Sequence, residues 1–457
     1  MKNRFKSLFN DKEFYSTLIK LALPIVIQSF INSFVNMIDT VMVGELGETA
    51  IASVGIANQY FLIFSMLIFG ICSGTGVFIS QFWGKEDVKN IRRILGISLI
   101  SGVIISIILS IIAFIFPREI IAIFNKEPEV IKSGTEYLRI ICISYIFTAI
   151  TFAYSFGLRC IGEARISMIV SAIALVCNAF LNWVFIFGKL GAPVMGVGGA
   201  ALATAIARLV EMILIVSYVY KTKNVMAAKF SEMVDLTRDF VWRTFVTVIP
   251  VVLNEACWGL ATVVYTAVYG RIGTGAVAAV QICGTVQNLF MVITFGMANA
   301  STVMIGNKIG AGDEEKGREY ANRFSILGVI SGLVLGGLLA LSAPFVLNFF
   351  KISSEVAADA RRILYISSIV MSIRVFNIIM IVGILRGGGD TKFSLLAEGG
   401  TMWFIGVPLS FIGAFVLHLP VYLVVALLTA EELAKFALGL MRLLSKKWVN
   451  NVVSDMG

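Results

Sequence analysis

Twelve apolar runs, each long enough to cross a bilayer core, are separated along the chain only by short polar turns. A membrane-spanning helix needs about 20 consecutive mostly apolar residues, and a soluble domain has no use for so many. The runs lie near 16–43, 50–80, 94–116, 134–158, 166–188, 196–220, 243–269, 275–306, 323–349, 360–385, 394–416 and 419–443. Composition agrees: 58% of the 457 residues are apolar and 14% charged, against roughly a quarter charged in soluble chains. The expected fold class is an all-α membrane protein of twelve transmembrane helices. Met1 to Arg4 lead through polar residues into the first run without a small-residue cleavage site, so no cleaved signal peptide is expected.

The formal charge of +9 could point to nucleic acid, but the basic residues follow topology. Short cytoplasmic loops carry the Lys/Arg excess. With the first residues inside, the outer segments hold only Arg118, Lys126, Lys132, Lys189, Arg271, Lys351, Arg361 and Arg362. Nearly all the rest fall in inner loops, which predicts cytoplasmic termini, a multi-pass plasma (inner) membrane location and no nucleic-acid partner.

Self-comparison at an offset of 226 gives 15 identities over the 61 positions of 24–84 against 250–310. They include Pro24/Pro250, Thr40/Thr266, Gly44/Gly270 and Gly84/Gly310. Apolar stretches match by chance, prolines and glycines less readily. One residue of slippage later, Leu158, Arg159, Gly162, Glu163 and Arg165 fall on Leu385, Arg386, Gly389, Asp390 and Lys392, and Arg208 on Lys435. Six spans per half is an even number, so both halves enter the membrane with the same orientation. Such parallel repeats are related by an axis along the membrane normal and place a substrate site near the midplane between them. The expected organisation is two pseudo-symmetric six-helix lobes, 1–220 and 243–457, joined by a cytoplasmic linker at 221–242. Because the repeat supplies its own pseudo-symmetry, a monomer is expected.

A carboxylate inside a span costs several kcal/mol unless it is paired, protonated or facing water, so each is a functional candidate. Asp39 lies roughly 7 Å inward from the outer end of span 1 at 1.5 Å rise per residue. Asn178 and Asn182, at i and i+4, share a face of span 5, and with Thr204 on span 6 they reach a similar depth. One carboxylate with amide and hydroxyl oxygens suits a small hard cation such as Na⁺, or tunes a proton-titrating acid. The alternative for Asp39 is a plain interhelical hydrogen bond. Glu255, five residues after Pro250 in span 7, is the second candidate, with Asn254 beside it at the repeat position of Gln28. Counting along span 10 brings Arg374 to the same depth, so an ion pair Glu255–Arg374 is expected, either structural or exchangeable. Pro24 and Pro250 each remove a backbone hydrogen bond inside a span and are expected to let it bend. Arg208 and Glu211 are placed to pair, as are Glu431, Glu432 and Lys435; Glu398 is expected to be solvated and His418 to lie idle in an outer turn.

These residues together resemble the multidrug and toxic compound extrusion (MATE) family over essentially the whole chain. The likeness rests on Pro24 and Gln28 through Asp39, Thr40 and Gly44; on the paired motifs Gly157-Leu158-Arg159 and Leu385-Arg386-Gly387; on Asn178 through Asn182, Trp183 and Gly188; and on Gly198, Gly199, Ala200 and Thr204. The resemblance implies antiport, in which an organic, usually cationic small molecule leaves as Na⁺ or H⁺ enters. It also implies an N-lobe cation site at Asp39, Asn178, Asn182 and Thr204, and a C-lobe site at Glu255. Some members carry a second Asp where this chain has Asn182, and the carboxylate expected on span 10 is replaced near Val375 and Arg374. Beyond the coupling ion no cofactor is expected.

Two other functions fit a polytopic chain. A flippase for lipid-linked substrates would favour a strongly cationic cavity. A membrane enzyme would need a nucleophile and base or a metal cluster, and one His with six scattered Cys (Cys72, Cys142, Cys160, Cys177, Cys257, Cys283) offers neither. The chain is therefore expected not to be an enzyme.

Overall fold

A computed structural model describes residues 11–350, 352–454 and 456. The chain is 86% helical, with no strand among the described residues. The spans are α1 (Lys12–Gly44), α2 (Glu48–Gly84), α3 (Val88–Ile115), α4, α5 (Ala164–Phe187), α6 (Gly196–Lys221), α7 (Arg238–Ile272), α8 (Thr274–Gly310), α9 (Glu314–Leu347), α10 (Ser354–Leu385), α11 (Thr391–Val416) and α12 (Val421–Ser445). Of these, α4 is bent by 49° between Pro128–Ile141 and Ser144–Cys160. Among the described residues ten helices are long and apolar enough to cross a membrane. The α12 helix fails that test on charge alone, because Glu431, Glu432 and Lys435 lie within one apolar stretch.

Local chemistry repeats with the sequence. Asp87 caps α3 by accepting the Asn90 N–H at 3.1 Å, and its repeat partner Asp313 caps α9 through the Lys316 N–H at 3.1 Å. These side chains satisfy N–H groups that a first helical turn leaves orphaned. Pro24 and Pro250 lie inside α1 and α7.

Two compact units emerge. The N-terminal unit comprises Leu23–Ile79 and Asp87–Phe245; the C-terminal unit comprises Val246–Gly457 with Met1–Ala22 and Ser80–Glu86. Within the C-terminal unit the ends of α2 and α8 cross at the repeat-related glycines. A Cβ on Gly84 would sit 1.9 Å from the Asn307 carbonyl oxygen, and one on Gly310 would sit 1.8 Å from that of Gln81. Only glycine allows backbones that close. After α12 the chain folds back: Trp448 is 1% exposed, a Cβ on Gly388 would meet its ring at 2.4 Å, and the Asn450 N–H donates to the Gly388 carbonyl at 2.7 Å. In the N-terminal unit the linker does the corresponding work, with Met226 fully buried and the Asn224 amide donating to Glu163 at 2.9 Å.

Candidate ion-coupling sites

Three helices of the N-terminal unit bring Asp39, Asn178, Asn182 and Thr204 into one hydrogen-bonded chain. The Asn182 amide donates to the Asp39 carboxylate and to Asn178 Oδ1 at 3.3 Å. The Asn178 amide in turn donates to Thr204 Oγ1 at 3.2 Å. Both asparagines are buried, at 2% and 0% exposure. No cation lies within ion-pair distance of Asp39 among the described residues. Both Asn182 amide hydrogens point at acceptors, and its buried Oδ1 has no hydrogen-bond partner among the described residues. A buried acceptor without a donor is costly, and here it adjoins a carboxylate. The set therefore gathers a carboxylate, amide oxygens and a hydroxyl, the oxygen ligands that suit a proton or a small cation.

Farther along α1, a second polar chain runs in one sense. Arg159 donates to Gln28 at 2.7 Å, Gln28 to Ser171 at 2.9 Å, and Ser171 to Glu211 at 2.8 Å; Glu211 pairs with Arg208 at 2.8 Å. The Arg208–Glu211 pair is the one helical spacing predicts. Arg159 has no carboxylate partner among the described residues and rests 4.9 Å from the Phe156 ring centroid. Beside this chain, α1 and α5 flank an open apolar groove of about 690 Å³ lined by Ile27, Ile31, Met168, Ile169, Ala172, Ile173, Val176, Cys177 and Phe180, several of them exposed.

The C-terminal unit corrects one expected pairing. Glu255 bonds Arg386 at 2.7 Å, not Arg374. Arg374 instead donates to Gln287 at 2.7 Å and lies 3.7 Å from Glu432. Counting depth along span 10 does not fix the face of Arg374, and its side chain turns to α8 and α12. The count also stopped short of Arg386, which follows a π-helical stretch, Ile379–Leu385, that turns the chain more slowly than an α-helix. Glu398 is not left to solvent: it accepts the Asn254 amide at 2.6 Å. Glu431 pairs with Lys435 at 2.6 Å and accepts the Tyr265 hydroxyl at 2.7 Å. The repeat register held the signal for these contacts, since Arg386 falls on Arg159 and Asn254 on Gln28.

Known proteins are similar over nearly the whole length. The MatE family profile matches residues 24–184 and 250–412. A probable multidrug resistance protein NorM of Thermotoga maritima is 26% identical over 96% of this chain and 94% of its own. An uncharacterized transporter YisQ of Bacillus subtilis is 24% identical over 90% of this chain and 89% of its own. Among solved structures, an Asp-to-Asn mutant of a Vibrio cholerae MATE transporter superposes with a TM-score of 0.86 at 17% identity, over 96% of this chain and 98% of that one. A Pyrococcus furiosus transporter of the MOP superfamily gives 0.85 at 21% identity, over 94% and 96%. With the family profile covering most of both repeats, the chain belongs to the MatE family of multi-pass membrane transporters.

Proposed function

We propose that the protein is a cation-coupled antiporter that exports hydrophobic, cationic organic compounds by alternating access, with the entering Na⁺ or H⁺ held at Asp39. The observation that carries this reading is a carboxylate inside a span that takes the Asn182 amide and, among the described residues, no cation, next to the buried Asn182 Oδ1, which has no hydrogen-bond partner there. Such a group changes charge at lower cost than an ion-paired one. Asn178, Asn182 and Thr204 supply oxygens for the ion, and Pro24 gives α1 a point of bending when Asp39 changes state. Differential affinity is the physical requirement: ion and drug must bind the two conformations unequally, or the gradient does no work. The apolar groove between α1 and α5 lies in the volume range of small-ligand sites. Multidrug names among the relatives fit that chemistry. In this reading the two repeat halves, 1–220 and 243–457, are the moving lobes of a monomer in the plasma membrane with both termini cytoplasmic. Glu255 with Asn254 forms the C-lobe counterpart, with Arg386 as the partner of Glu255.

The test is ethidium exchange in proteoliposomes under an imposed Na⁺ or pH gradient, with wild type and Asp39→Asn. One gradient should drive wild-type exchange, and the variant should lose it while keeping its fold. If neither gradient moves ethidium or any other organic cation tried, drug antiport fails and lipid-linked substrates take its place.

A further inference from the structure

Arg159 and Arg386 fall on one another in the repeat, and the two halves treat them differently. Arg386 meets the Glu255 carboxylate at 2.7 Å. Glu255 falls on Ser29, so the N-terminal half has a hydroxyl where the C-terminal half has the neutralising acid. That hydroxyl is turned onto its own helix, donating to the Ile25 carbonyl at 2.9 Å. Arg159 donates to the neutral Gln28 inside span 1 at 2.7 Å and has no carboxylate partner among the described residues. The polar chain beyond Gln28 does not supply one, because it ends on Glu211, which already pairs with Arg208 at 2.8 Å. Arg159 lies in the last turn of α4 and Arg386 follows the π-helical end of α10. The helix-end dipole that favours a cation is therefore common to both, and the acid is the difference. A guanidinium that reaches into a span without a counter-charge is costly and marks a functional candidate.

The surroundings of the guanidinium set the class of its ligand. Its Nε is buried without a hydrogen-bond partner, while the residue as a whole is partly exposed. Its flat face lies 4.9 Å from the Phe156 ring centroid. Phe156 in turn packs edge-on against Phe69 of α2 at 5.3 Å and stacks on Phe152 at 6.3 Å. Phe156 is buried, whereas Phe69 and Phe152 are partly exposed. The ionisable neighbours of Arg159 are the thiols of Cys160 and Cys72 rather than acids. A guanidinium offers N–H groups in a fixed fork that matches a carboxylate, and Glu255 on Arg386 shows that match in the other half. Gln28 precedes Asp39 on α1 by roughly 16 Å at 1.5 Å rise per residue, so Arg159 stands apart from the Asp39 set.

We infer that Arg159 seats the carboxylate of an exported aromatic compound, so that zwitterions, cationic at one end and carboxylate at the other, are substrates. This rests on the export reading above and narrows its substrate class. The ligand's carboxylate takes the part that Glu255 plays for Arg386, accepting from the guanidinium N–H groups that Gln28 does not take. Its aromatic body lies against Phe69 and Phe152. No covalent bond forms or breaks.

Fluorescence anisotropy of the purified full chain in detergent tests this, titrating rhodamine B, a zwitterion with a free carboxylate, and rhodamine B methyl ester, the same cation without it. Wild type should bind the acid about tenfold more tightly than the ester, the worth of one charge-assisted hydrogen bond. In Arg159→Gln that ratio should fall to about one, and in Arg159→Lys it should fall part of the way, since lysine keeps the charge without the fork. Ser29→Glu brings the acid of the C-terminal half to Arg159 and should also remove the preference, while Ser29→Gln, without the charge, should keep it. Under the gradient that drives ethidium exchange, wild-type proteoliposomes should export rhodamine B. If wild type binds acid and ester alike, if Arg159→Gln keeps the preference, or if ethidium is exchanged and rhodamine B is not, the inference falls and the export reading stands on ethidium. If no gradient moves either dye, the export reading falls with it. Should Arg159→Gln not fold, Ser29→Glu decides.

Discussion

Asp39 and Tyr265 occupy the same place in the two halves, as do Thr204 and Glu431. In the N-terminal unit the acid is on the first helix and the hydroxyl on the sixth. The C-terminal unit reverses this, and Tyr265 donates to Glu431 at 2.7 Å. The surroundings differ more than the positions do. The Asn182 amide holds Asp39, whereas Lys435, the counterpart of Arg208, neutralises Glu431 at 2.6 Å with both side chains under a tenth exposed. The same pair of helices thus carries a carboxylate without a cation in one half and a buried ion pair in the other. Helix geometry sets where a polar group can go, and its partner decides whether it stabilises or exchanges.

The largest effect should come from breaking the fixed side. Lys435→Met leaves Glu431 buried without its cation, and removing one partner of a buried pair costs about 3–5 kcal/mol. Thermal unfolding in detergent should show that loss, and adding Glu431→Gln should recover most of it. Asp39→Asn, by contrast, should barely move the unfolding temperature, since amide can replace carboxylate as an acceptor, and should abolish coupled exchange. If both variants unfold alike, Glu431 does not depend on Lys435 any more than Asp39 depends on its amide.

Next comes the arginine pair. Arg386 holds Glu255 at 2.7 Å with 1% of its side chain exposed, while Arg159 holds only the neutral Gln28. Arg386→Gln leaves an uncompensated carboxylate and should cost about 3–5 kcal/mol. Arg159→Gln loses a hydrogen bond to a neutral group and should cost about 1–3 kcal/mol. Denaturant unfolding of the two variants side by side checks the order; equal costs would mean that Glu255 is not held by its ion pair.

The glycine crossing should be symmetric where the polar sites are not. Gly84→Ala and Gly310→Ala each push a methyl into the partner backbone, and each should lose about 1–3 kcal/mol as overpacked sites do. Unequal losses would show that the two helices do not share the strain.

Much of this was legible in the sequence because it depends on length and spacing. Twenty-residue apolar runs give the spans, and repeated Pro and Gly give the register. The positions of Asp39, Asn178, Asn182 and Thr204 follow from counting turns on regular α-helices. Glu255–Arg386 and Glu398–Asn254 were not legible because α10 and α11 contain π-helical stretches, which shift the direction of every later side chain. A buried guanidinium also reaches well along its helix from its own Cα, so the depth of a Cα misplaces its charge. The repeat would have supplied the correction, since Arg386 aligns with Arg159 and Glu398 with Ser171.

The smallest effect should come from the linker of the N-terminal unit. Arg92 pairs with Glu232 at 2.7 Å, and Arg93 pairs with Asp235, whose side chain is half exposed. The Arg93 guanidinium, with Lys89 near, holds the Asp235 carboxyl below its ordinary value of 3.8. A depressed folded-state value means the pair contributes above the ordinary carboxylate range and loses that contribution as pH falls through the folded value. Solvent screens such pairs strongly, so Asp235→Asn should leave global unfolding within error. Hydrogen exchange of residues 229–237 is the sensitive readout: it should rise modestly in the variant at neutral pH, and variant and wild type should converge under strong acid. A large rise spreading into α3 would show that this clasp, and not the buried Met226 and Met233, closes that end of the N-terminal unit.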